Sequence, residues 1–130
     1  MIQMQIRNTV QRQIVLQTVQ AMNNHPTADV IYEAIRAVHP SISKATVYRN
    51  LHQLASQGKI RQISVPNGAD HFDFNMKNHY HVCCMRCGAL QDVYMRSTEN
   101  LLNLVEDSSG AIIQKYDILF EGTCSDCQKA

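Results

Sequence analysis

The chain has 130 residues, room for one ordinary domain or two small ones, and its 45% hydrophobic and 18% charged content excludes a disordered chain. The net charge of +1 conceals a division: residues 1–72 hold seven Lys/Arg against three Asp/Glu, and residues 73–130 hold five against eight. No stretch nears the ~20 apolar residues of a membrane span, and Met1–Met22, rich in Gln and Arg, lacks a signal peptide's apolar run, so a cytoplasmic protein is expected. A basic half ahead of an acidic half suggests that the first meets a polyanion, although small charge splits also arise by chance.

The periodicity predicts a helix over Thr9–Met22, with Val10, Ile14, Val15, Val19 and Met22 on one face. Asn23-Asn24-His25-Pro26 breaks it, because proline disfavours helix in the residue before it. Thr27 is the expected N-cap of a second helix with Ile31, Ile35 and Val38 as its buried stripe, ended at His39-Pro40. Ser43 is the expected cap of a third, over Lys44–Gln57, burying Val47, Leu51 and Leu54 and stopped by Gly58.

After Gly58 the period changes from helical to alternating. Ile60–Val65 reads as a strand, Pro66-Asn67-Gly68 as a hairpin turn and His71–Phe74 as the returning strand. Three helices followed by a hairpin is the element order of a winged helix-turn-helix. Further strands are expected near Tyr80–Cys84, Leu90–Tyr94 and Ala111–Glu121, with an amphipathic helix over Glu99–Glu106 carrying Leu101, Leu102 and Val105. A linker falls at Asn75–Asn78, which divides the chain into 1–74, a hinge at 75–78, and 79–130. Neither half is large enough for a comfortable core, and domains of this size usually need a metal or a partner subunit. The sheet edges and the Leu101/Leu102/Val105 face suggest dimerisation.

Cys84-x-x-Cys87 and Cys124-x-x-Cys127 supply four thiolates, the number a tetrahedral Zn²⁺ takes. A reducing compartment favours this reading over disulfides. Such a closed site is structural, since no position is left for water or substrate. The fifth cysteine, Cys83, alternates away from Cys84 on a strand and reads as a small packed hydrophobe.

The third helix sets Lys44, Thr46, Tyr48, Arg49 and His52 against its apolar stripe. Arg49 could fork onto guanine, Thr46 and Tyr48 could meet thymine methyls or phosphates, and Lys44 a phosphate. A solvated helix face has the same composition; the following hairpin and the basic charge favour double-stranded DNA. His79 and His81, at i and i+2 on a strand, share a face and can reach one ion, with Asp92 on the next strand and Asp73 where the hairpin meets the linker. By spacing alone, ligand and structural roles for these two histidines are equally open. His25, without a local partner, reads by itself as a surface or capping residue. A site of His25, Asp73, His79, His81 and Asp92 would join the two halves and suit Fe²⁺, Mn²⁺ or Zn²⁺ rather than Cu(I). His39, His52 and His71 are left as structural or surface residues, His71 being near enough to Asp73 to serve as a reserve ligand.

Four stretches together resemble the ferric uptake regulator (Fur) superfamily over essentially the whole chain. They are His25-Pro26-Thr27-Ala28-Asp29, Ser43-Lys44-Ala45-Thr46-Val47-Tyr48-Arg49-Asn50-Leu51, His79-Tyr80-His81 with the following cysteine pair, and Gly122-Thr123-Cys124-Ser125-Asp126-Cys127. The resemblance implies an α+β protein: an N-terminal winged helix-turn-helix domain and a C-terminal α/β dimerisation domain. It implies a homodimeric, metal-dependent repressor that binds operator DNA. It further implies structural Zn²⁺ on Cys84, Cys87, Cys124 and Cys127, and regulatory Fe²⁺ or Mn²⁺ on His25, Asp73, His79, His81 and Asp92.

Iron-responsive members of that superfamily tend to carry Glu where this chain has Asp92, whereas the peroxide-sensing subgroup (PerR) carries Asp. The sequence is similar to that subgroup, in which a ligand histidine is oxidised; the matching positions are His25 and His79. Metal-uptake relatives place His or Asp at a further inter-domain site where Asn78, Tyr80 and Tyr116 stand here, so that site is expected to be absent. The alternatives are an iron-, zinc- or manganese-responsive uptake regulator and a redox switch of the cysteine pairs. A metal-dependent enzyme is a minor one, because no general base beyond the ligands is evident and the zinc-deaminase pattern is missing. No enzyme is expected.

Overall fold

Helix α1, Ile2–Ala21, buries Val15 and Val19 completely, one turn apart on one face. It begins earlier than the periodicity suggested, because Gln, Met and Arg around Ile2–Asn8 favour helix and no Gly or Pro interrupts them. The structure, a computed structural model, describes residues 2–77, 79–96 and 100–129, and the side chains of all but 2–6. Asn78 of the predicted linker and Glu99, the first residue of the predicted fourth helix, lie outside the described residues. The chain divides into two compact units, Met1–Lys77 and Asn78–Ala130.

In the first unit α2, Ala28–Val38, is capped by Thr27, whose hydroxyl accepts the Val30 N–H. Helix α3, Lys44–Ser56, is capped by Ser43 through the Thr46 N–H and ends before Gly58, whose positive φ (74°) an L side chain would resist. Ile31 and Ile35 of α2 meet Val47, Leu51 and Leu54 of α3 and the two valines of α1 in one core, which Ile42, Ile60 and Phe72 complete. Val38, predicted inside, is 71% exposed: it closes the last turn of α2, on the rim of an open cavity shared with Ile14 and Ala21 of α1.

Strands β1, Arg61–Ile63, and β2, His71–Asp73, pair antiparallel with Gln62 opposite Phe72. Asn67 turns the connection with φ 58°, a conformation Asn tolerates. His52 of α3 ties to this hairpin through Gln62 Oε1 at 3.2 Å, and Gln62 in turn donates to Asp70 at 2.6 Å.

The second unit is a three-stranded sheet with β3, Tyr80–Cys84, at its centre. Strand β4, Leu90–Val93, lies antiparallel on one side and β5, Leu119–Gly122, parallel on the other. Two predicted elements are much shorter than expected, and β4 stops one residue before the predicted Tyr94. Ala111–Glu121 is a strand only from Leu119, where β3 offers a hydrogen-bonding edge; before that, Ile112 stands 90% exposed. The described part of Glu99–Glu106 holds only a 3-10 turn, Leu101–Leu104, with Leu102, Leu104 and Val105 exposed. Their apolar faces find no core within the unit to hold a full helix. Helix α4, Ser125–Gln128, closes the described chain. Among the described residues no helix is long and apolar enough to cross a membrane.

Candidate metal centres

One strand positions both donor sets of the second unit. Cys84 ends β3, and the chain turns at once through Met85-Arg86-Cys87 to Gly88, whose φ of 79° lets the turn close. Gly88 N–H returns to the Cys84 carbonyl at 2.9 Å and Cys87 N–H points to the Cys84 sulfur at 3.5 Å. The second pair repeats this at a helix start: Cys124 is the N-cap of α4, and its sulfur accepts the Cys127 N–H at 3.5 Å. Parallel pairing of β3 with β5 brings the two turns together, secured by Met85 N–H to the Gly122 carbonyl and Arg86 to the Cys127 carbonyl. All four sulfurs lie within 4.8 Å of one another.

The chemistry of this donor set fits a cation. All five cysteines are free thiols, and Cys87 Sγ to Cys124 Sγ is 3.7 Å, far beyond a disulfide bond. Backbone N–H groups of Cys124 and Cys87 hold the Cys84 thiol down at about 5. The neighbouring sulfurs of Cys124, Cys87 and Cys84 push Cys127 up to about 12. Four sulfurs this close cannot all ionise without a positive charge among them, and Zn²⁺ in tetrahedral coordination would supply it. Cys83, on the opposite face, is buried; burial pushes its thiol up.

His81 lies on that same opposite face of β3, directly across from Asp92 of β4. The Asp92 carboxylate oxygen Oδ1 stands 3.5 Å from His81 Nε2 and 3.3 Å from His79 Nε2, and both imidazoles are buried. These two nitrogens and one oxygen form a mixed donor set of the kind that holds Fe²⁺, Mn²⁺ or Zn²⁺. In the first unit His25 Nε2 lies 3.4 Å from Asp73 Oδ2, both side chains 9% exposed. Asp73 Oδ1 accepts the Asn75 N–H at 2.9 Å, which fixes the carboxylate's rotation. His25 adopts φ 52°, disfavoured for an L residue by about 1 kcal/mol or more, so its surroundings must impose it.

Residues 3–120 match the family described as Ferric uptake regulator family. The chain belongs to the ferric uptake regulator family. It is a metal-responsive regulator of that family, and its sequence is 34% identical over 123 residues to the peroxide-responsive repressor PerR of Staphylococcus saprophyticus, covering 95% of this chain and 83% of that protein. The Campylobacter jejuni peroxide stress regulator superposes with a TM-score of 0.77 at 30% identity, covering 96% of this chain and 94% of that one. The Helicobacter pylori ferric uptake regulator superposes equally well, TM-score 0.77, over 99% of this chain and 90% of that one; at 23% identity it speaks for the fold alone.

The α3 residues singled out for DNA are differently placed. Arg49 is exposed, and Thr46 receives the Ser43 hydroxyl at 2.9 Å. Tyr48 donates its hydroxyl to Asp29 Oδ1, and Lys44 reaches the same oxygen at 3.2 Å. The sequence reading overlooked Asp29 in this role, and nothing in local spacing marks it. His71, held as a reserve ligand, turns its Nδ1 to the His25 carbonyl at 2.6 Å. Tyr80 and Tyr116 stack with ring centroids 6.5 Å apart.

Proposed function

We propose that this family member is a homodimeric, DNA-binding repressor that senses hydrogen peroxide through a regulatory metal. The observation that carries the reading is the Asp92 carboxylate set between His79 and His81, an aspartate where iron-responsive relatives tend to have glutamate. The relatives named for peroxide response support it. In this proposal residues 1–74 form the winged helix-turn-helix, 75–78 a hinge and 79–130 the dimerisation domain, with zinc on the four cysteines.

The two donor sets, His25 with Asp73 and His79, His81 with Asp92, would serve a single Fe²⁺ or Mn²⁺. An ion shared in this way makes the arrangement of the two units depend on its occupancy, a population shift set by differential metal affinity. Fe²⁺ held by these residues would supply the redox chemistry that splits hydrogen peroxide, giving up and regaining an electron in the process. One peroxide oxygen then enters a ring carbon of His25 or His79 and the other leaves as water. The altered imidazole binds metal poorly and DNA is released. Lys44, Thr46, Tyr48 and Arg49 are the proposed DNA contacts. Exposed Leu104, Val105, Ile112 and Phe120 offer apolar surface for a second copy.

The stacked Tyr80 and Tyr116, where uptake regulators carry metal ligands, favour peroxide sensing over metal uptake control. The test is anaerobic binding of the Fe²⁺-loaded protein to duplexes selected from a random pool, followed by peroxide. Loss of DNA with one added oxygen on the His25 or His79 peptide is expected, and the Mn²⁺-loaded protein should hold its DNA. Binding that follows metal level but ignores peroxide would replace this reading with a metal-uptake regulator.

A further inference from the structure

His25 sits in a conformation that two local rules oppose. Its positive φ crowds an L side chain, and the proline that follows it favours an extended backbone of negative φ there. Strand β2 holds it there. Thr27 bridges to His71, the Phe72 N–H donates to the Pro26 carbonyl at 2.8 Å, and the His71 ring binds the His25 carbonyl itself at 2.6 Å. A carbonyl only accepts, so His71 Nδ1 carries the proton in this bond. His71 and Asp73 share one face of β2. The first grips the backbone of His25 while the second, two residues on, faces its imidazole at 3.4 Å.

We propose that His71 is a positioning residue for the regulatory metal: its hold on the His25 carbonyl keeps the left-handed turn that aims the His25 imidazole at Asp73. The inference rests on the ligand roles proposed above for His25 and Asp73. The other two links to β2 are backbone contacts that do not use the side chain at 71, so the turn loosens without losing its strand. Groups that orient a ligand from behind commonly change metal affinity by about tenfold to a hundredfold when removed.

The test uses full-length, zinc-loaded protein and three substitutions. His71→Asn keeps a donor where Nδ1 lies, His71→Gln carries its amide one bond too far, and His71→Leu has none. Anaerobic titration with Co²⁺, read by its visible absorption, should show roughly tenfold or weaker binding for His71→Gln and His71→Leu, with His71→Asn within a few-fold of wild type. Zinc content and the melting temperature of the protein without regulatory metal should stay near wild type in all three. After Fe²⁺ and peroxide, the oxygen added at His25 relative to His79 should fall in the Gln and Leu variants and recover in Asn.

Equal Co²⁺ affinity and an unchanged His25-to-His79 ratio would overturn the inference, as would equal losses in Asn and Gln. The Asn and Gln comparison decides the matter even if His71→Leu fails to fold. His25→Ala separates the two proposals. If it binds Co²⁺ like wild type, the ligand assignment itself fails; if it weakens binding while the His71 variants do not, only the positioning role fails.

Discussion

Cys87 and Cys124 stand 37 positions apart in sequence, yet their sulfurs lie 3.7 Å from each other. Two such pairs clasp the sheet's central strand to its parallel neighbour, at the end of a unit with little core of its own. In small domains closed this way, metal binding supplies on the order of 10 kcal/mol that is also folding free energy. Cys87→Ser or Cys124→Ser should therefore lose zinc and unfold the second unit, read by metal analysis and circular dichroism. Full zinc content and a native melt in either variant would exclude a structural role.

Zinc loading should release fewer than four protons at neutral pH. Cys84, held at about 5, is already ionised there, whereas Cys127, pushed up to about 12, must surrender its proton to the metal. The lowered Cys84 value stabilises the metal-free fold above its unfolded value of 9.0, and this is lost as pH falls through about 5. Calorimetry in two buffers of different ionisation heat counts the protons; four released would contradict an ionised Cys84.

Asp92 reaches both His79 and His81 with one oxygen because it sits directly across the sheet from His81. Asp92→Glu adds a methylene and carries that oxygen past the position between the two imidazoles. Metal binding should persist, while DNA release after peroxide should slow by about tenfold, within the range for altered coordination. Stopped-flow anisotropy with labelled operator measures it, and an unchanged rate would remove Asp92 as the discriminating residue.

Asp29 holds Tyr48 and Lys44 of the neighbouring helix, and the Tyr48 hydroxyl, then Lys44, lower its pKa below the ordinary 3.8. A depressed carboxylate value contributes stability above its unfolded pKa and loses it as pH falls through the folded one. Asp29→Asn should thus melt earlier than wild type near neutral pH, and the difference should shrink below pH 3.8. A gap that does not depend on pH would show that packing, not charge, links these residues.

Phe72 is 1% exposed and packs edge-on to His52 of α3, 6.3 Å between rings. Phe72→Ala should cost about 3–5 kcal/mol, by lost burial and the cavity left behind. Thr27→Ala removes only a cap and should cost about 1 kcal/mol. Urea unfolding checks both, and equal effects would mean the core does not centre on Phe72.

Sequence order carried most of the first unit because its signals are local. Thr27 and Ser43 cap within three residues, Gly58 stops a helix at its own φ, and Ile31/Ile35 or Val47/Leu51 fall one turn apart. Each cysteine pair is equally local, since the two-residue spacer brings its sulfurs to one side of one turn. The apolar residues after Ala111 suggested a longer strand than the one that forms. A strand forms where a partner lends hydrogen bonds, and β3 lends them from Leu119 to Gly122 alone.

The residues by themselves thus determined the helices, their caps, the hairpin and the existence of two thiolate pairs, all set by contacts within a turn or two. Tertiary structure decided what distant segments do to each other. It brought Cys124 to Cys87, set Asp92 across from His81, gave Asp29 to Tyr48 and Lys44, and turned His71 onto the His25 carbonyl. Such pairings depend on strand register and helix packing, which arise from burial summed over a whole unit, and no short stretch of sequence contains that sum.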